Sequence, residues 1–168
     1  MSSIQRDLWP DDIRSEEVLS PEEILKYQAE QLEKRTNGLL AGDVVKHENE
    51  DRIVLGFEVV APRAQVRARL FEVQHRLEYG YPALIVPPDE RLPDFLKAQV
   101  YRPSHSIADV MRSIEPGKWV KNEWLASSPS EFSKTVETVL ARPGVKAVVL
   151  SLLARSTPPQ AGDGGETS

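Results

Sequence analysis

The chain has 168 residues, 40% of them apolar and 28% charged, with a formal net charge of −5 and no cysteine. That length and mix suit one soluble domain with a real core, and they exclude disulfides, a thiolate nucleophile and a cysteine-ligated zinc. The negative charge disfavours generic attraction to nucleic acid, and no run approaches the ~18 apolar residues of a membrane span.

The N-terminus is polar and acidic, unlike a signal or transit peptide, and no Asn-x-Ser/Thr site points to secretion. The expected location is the cytoplasm, with no membrane partner. Residues 1–19 read as an extended arm around Arg6-Asp7-Leu8-Trp9-Pro10-Asp11-Asp12-Ile13. Pro10 sets its own φ and pushes Trp9 out of the helical region, so the backbone there is extended. Leu8, Trp9 and Ile13 are the candidate anchors. The expectation is that the arm folds back in cis and buries Trp9 on the sheet or first helix; the alternative is a hook for another protein.

Ser20-Pro21-Glu22-Glu23 starts a helix: Ser20 caps it, Pro21 suits the first helical position, and Glu23 closes a capping box. Ile24, Leu25, Tyr27, Gln28, Ala29 and Leu32 give the apolar face, and Asn37-Gly38 ends it with residues that tolerate left-handed backbone. Residues 39–46 and 52–61 predict a hairpin around His47-Glu48-Asn49-Glu50-Asp51. In its second strand Ile53, Leu55, Phe57 and Val59 alternate onto one face. A third strand over 66–77 points Phe71, Val73, His75 and Leu77 one way, and Leu70, Glu72, Gln74 and Arg76 the other. A short fourth run, Ala83 to Val86, sits between prolines that place it at a sheet edge.

Residues 87–118 form an irregular insert with room for short helices at 93–99 and 106–114, the second capped by Ser106. A last strand over Lys118 to Ala126 carries Trp119 and Trp124. Ser128-Pro129-Ser130-Glu131 repeats the helix-start grammar, followed by Phe132, Val136, Val139 and Leu140. Beyond Pro143-Gly144, Val145 to Leu153 reads as a closing helix, with a buried strand as the other reading. Residues 156–168 cannot bury a core face and read as a disordered tail.

The fold class is therefore α+β: an antiparallel meander of three to five strands, an N-terminal helix, and two C-terminal helices packed on one face. It forms a single domain over 20–155. The layout resembles a group of small bacterial proteins that open with Asp-Leu-Trp-Pro-x-x-Ile, here Asp7 to Ile13, followed by a Ser/Thr-Pro-initiated helix and a meander. The resemblance covers roughly residues 7 to 155. It implies the same fold and carries over no activity, cofactor or partner.

No phosphate loop, His-Glu-x-x-His, calcium loop or Gly-x-Ser-x-Gly occurs. No cofactor, metal ligand or catalytic residue is assigned. His47, His75 and His105 lack ligand spacing, and His75, on an apolar strand face, reads as a structural histidine with a satisfied ring nitrogen. Ser104, His105, Ser106 and Asp109 formally resemble a catalytic set, but Ser106 and Asp109 suit a helix start better.

Charge is distributed unevenly. Residues 1–33 hold nine acids against three bases, whereas 63–76 hold Arg63, Arg67, Arg69, His75 and Arg76 against Glu72 alone. Arginine makes bidentate contacts to carboxylate or phosphate, so Arg63, Arg67, Arg69 and Arg76, together with Glu72, are the candidate partner-binding set. The competing structural reading pairs them with the protein's own acidic arm and first helix. Three functions stay open: a non-catalytic protein acting through its sheet face and arm; a binder of nucleic acid or another anion through 63–76; and a hydrolase-like enzyme built around 99–118.

Overall fold

The computed structural model describes residues 7–11, 19–49, 51–98, 100 and 122–158. Among the described residues nine elements follow in order: α1 (Pro21–Arg35), β1 (Ala41–Glu48), β2 (Ile53–Ala61), β3 (Val66–His75), β4 (Ala83–Val86), α2 (Asp94–Ala98), β5 (Leu125–Ala126), α3 (Pro129–Leu140) and α4 (Pro143–Ser156). Among the described residues the five strands form one sheet in the order β1-β2-β3-β4-β5, antiparallel throughout. This is the expected α+β meander at its upper strand count.

Helix α1 begins as its residues dictate. The Ser20 hydroxyl accepts from the Glu23 N–H and the Glu23 carboxylate accepts from the Ser20 N–H, closing the capping box. Asn37 and Gly38 end the helix at φ 51° and 78°. Ile24, Leu25 and Ala29 are buried, but Tyr27 is 58% exposed. At 100° per residue Tyr27 lies about 130° from the centre of that stripe, so it does not share the apolar face. Helix α1 lies so close to β1 that a Cβ on Gly42 would stand 2.5 Å from the Ala29 Cα.

The register puts Gly42, Val59 and Phe57 on the helix-covered face, together with Val73 and Ile85. Helices α3 and α4 close over the same face, where Phe57 stacks on Phe71 at 5.2 Å. The closing segment from Pro143 is a helix, not a strand. In α3, Ser128 caps the Glu131 N–H while the Glu131 carboxylate accepts from the Ser127 N–H, one residue earlier than in α1.

Three expectations need correction. Leu70 is buried, not set outward beside Glu72, because the β2–β3 register shifts between Phe57 and Glu58 and the extra residue on β3 escapes the alternation. Strand β4 is not the edge: its prolines lie outside the paired span, so both sides can pair, and β5 adds a final rung through Ala83 and Ala126. The last strand is only Leu125–Ala126, preceded by a turn at 123–124; residues 118–121, Trp119 among them, lie outside the described residues.

Trp124 is buried and donates from Nε1 to Glu90, while the Arg142 guanidinium lies 5.3 Å from its ring centroid and reaches Asp89 and Glu90. These contacts hold the chain after β4 to the junction of α3 and α4. The short helix expected at 93–99 is α2. The one expected at 106–114, the tail beyond 158, and the arm residues 1–6 and 12–18 lie outside the described residues.

Candidate functional site

The Arg-rich strand faces outward, away from the helices. Asp43 on β1 stands directly opposite Glu58 on β2, a like-charged pair that destabilises a sheet when left alone. Arg67 on β3 resolves it: its Nη1 lies 2.7 Å from Asp43 and 3.4 Å from Glu58. The hydrogen bond that Arg67 donates to the Asp43 carboxylate is the main reason its pKa is raised.

Arg69 reaches Glu72 at 2.7 Å. Residues three apart in a regular strand face opposite ways, but the extra residue at Leu70 restores them to one face. The Arg69 guanidinium lies over Gly56, where a Cβ would meet it at 2.7 Å. Glu72 therefore pairs along its own strand. The remaining candidates do not join this cluster. Arg63 is exposed in the turn after β2, and Arg76 follows β3 half-buried, its Nε without a partner among the described residues.

None of these arginines pairs with α1 or the arm among the described residues. Arg67 and Arg69 pair instead with carboxylates of the sheet itself. A patch already neutralised by Asp43, Glu58 and Glu72 offers little to phosphate.

Of the histidines, His75 is 8% exposed with Nδ1 2.8 Å from the Arg76 carbonyl and 3.1 Å from the Tyr79 carbonyl. Two carbonyl neighbours mean that Nδ1 carries the proton and donates. This is the satisfied structural histidine expected. His47 is exposed on β1; His105, Ser104, Ser106 and Asp109 lie outside the described residues, as does most of the segment proposed for a hydrolase. Among the described residues no group of three or more His, Asp or Glu could hold a metal ion, and no helix is long and apolar enough to cross a membrane.

The arm departs most from expectation. Leu8 is 82% exposed and Trp9 75% exposed, so the expected burial of Trp9 on its own domain is not found. The Asp7 side chain accepts from the Trp9 N–H at 3.0 Å, a local turn that satisfies the backbone without the domain's help. Ile13, the third anchor, lies outside the described residues. At Leu19 the backbone carbonyl accepts from the Tyr81 hydroxyl at 2.8 Å. Burial, with Glu23 nearby, pushes the Tyr81 pKa up to about 12.

One feature escaped sequence reasoning. An apolar groove of about 370 Å³ opens between α1, α3 and α4, with Leu32, Phe57, Leu70, Leu140, Val145 and Val149 as its walls. Arg35, Lys146 and two glutamines form its rim, and neither cation pairs with a carboxylate among the described residues. Its lining comes from five elements far apart in the chain, and the one residue that betrays it, Leu70, was misplaced by the bulge. No protein-family model matches the chain, and neither a curated protein nor a solved structure shows significant similarity to it.

Proposed function

We propose that this protein acts by binding another protein, without a catalytic step, using its N-terminal arm as the principal contact and the open face of β1–β3 as a second. The exposure of Leu8 and Trp9 carries this reading. A solvated tryptophan gives nothing to its own fold, whereas burying it on a partner is worth on the order of 2–3 kcal/mol from area alone. Exposed aromatics of this kind are the usual energetic anchors of interfaces. The self-paired charges of the sheet face suit a polar rim better than a phosphate cradle.

The test compares full-length wild type with the Leu8→Ala/Trp9→Ala double variant as bait in extract of the native host, at low salt and at about 0.5 M, where exposed charge pairs are screened. A partner kept by wild type at high salt and lost by the variant is expected. Identical captures by the two baits, or a catch that salt releases and that depends on Arg67 and Arg69, would contradict it and favour an anionic ligand.

A further inference from the structure

The groove and the arm complement each other. The groove has apolar walls and, at its mouth, Arg35 and Lys146 without partners among the described residues. The arm carries Leu8, Trp9 and Pro10, with Asp7 on one side and Asp11 on the other. Apolar surface flanked by acids is what a cation-rimmed apolar groove selects. A tryptophan side chain also fits a space of about 370 Å³ with room for an adjacent leucine. Among the described residues of one chain Leu8 and Trp9 remain in solvent, so this segment does not fill the groove of its own chain.

We infer that two copies of this chain exchange arms, the Leu8–Trp9–Pro10 segment of each seated in the α1/α3/α4 groove of the other. This rests on the reading of the arm as a contact element and names a second copy as its partner. A reciprocal exchange closes with two-fold symmetry, so the product is a dimer, not a fibre. It buries both arms and both grooves at once. Leu150, on the rim and 53% exposed, becomes part of the seat.

Sedimentation of the full-length chain up to about 100 μM, a hundredfold above a micromolar dissociation constant, tests this with two variants. Trp9→Ala removes the arm's anchor. Leu150→Glu, at an exposed position that disturbs the fold little, places a negative charge where the acidic arm must sit. Wild type is expected to dimerise and each variant alone to stay monomeric. Their mixture should form a heterodimer again, because one intact arm meets one intact groove. A wild-type chain that stays monomeric throughout overturns the exchange. So does a dimer that survives Trp9→Ala. A monomer destabilised by Trp9→Ala also overturns it, and makes the chain's own arm the occupant. If wild type is monomeric yet loses a foreign partner on Leu8→Ala/Trp9→Ala, the exchange fails while the arm remains a contact element; if the double variant loses nothing, both fall.

Discussion

On the open face of β1–β3, Arg67 settles between Asp43 and Glu58, and Arg69 folds over Gly56 to reach Glu72. At the groove, Arg35 and Lys146 stand over apolar walls with no carboxylate of the described chain beside them. The first region holds the densest run of arginine and the second only two cations, yet among the described residues it is the second whose cations lack a carboxylate partner. Charge density by itself says little about binding. A better pointer to a contact surface is a group whose complement is missing from the described residues.

If stability comes from the helix-covered side and not from the charged face, the largest loss should follow Phe57→Ala. Phe57 lines the groove and stacks on Phe71, and its truncation should cost about 3–5 kcal/mol in a denaturant titration. Gly42→Ala should come next, at about 1–3 kcal/mol, because the new methyl meets backbone of α1 and the helix must lift from β1. A change within experimental error at either position would mean that this side is looser than its packing implies.

The root of the arm gives a pH-dependent effect. Tyr81 is held neutral by burial, so its folded pKa of about 12 lies above the ordinary value of 10. Its contribution is fully present below pH 10 and is lost as pH rises through about 12. Alkaline melts should show that loss in wild type and not in Tyr81→Phe, and tyrosinate absorbance should lose its highest-pH step in the variant. The same alkaline slope in both proteins would place the effect elsewhere.

The charged face should matter less. Arg67→Ala and Arg69→Ala are exposed-pair deletions, each expected to cost no more than about 1 kcal/mol. Arg67→Ala should be the more salt-sensitive, since it leaves Asp43 facing Glu58 unscreened. A loss of several kcal/mol would show that the ion pairs hold the meander together. Smallest of all, Trp9→Ala in dilute solution should shift stability by less than about 0.5 kcal/mol, as exposed substitutions do.

What could be read from the sequence was local. The Ser-Pro-x-Glu starts of α1 and α3, the left-handed close at Asn37-Gly38 and the alternation of β2 depend on neighbours within a few residues, and each stands in the structure. What could not be read depended on register. One extra residue at Leu70 buries that side chain and sets Arg69 beside Glu72, and only strand pairing reveals it. Arg67 finds Asp43 24 residues away for the same reason. Trp9 stands exposed where burial on its own domain was expected, because apolarity shows that a residue gains from burial, not where that burial takes place.

That last point is open to direct measurement. The chain can be labelled with 5-fluorotryptophan and its three tryptophan resonances assigned by single substitutions. If Trp9 is solvated in one chain and seated in another, its fluorine signal should be sharp and solvent-like at low concentration. It should shift toward a buried environment as concentration rises, and stay solvent-like at every concentration in Leu150→Glu. A Trp9 signal that is already buried in the dilute monomer and does not move with concentration would contradict this, and return the arm to its own domain.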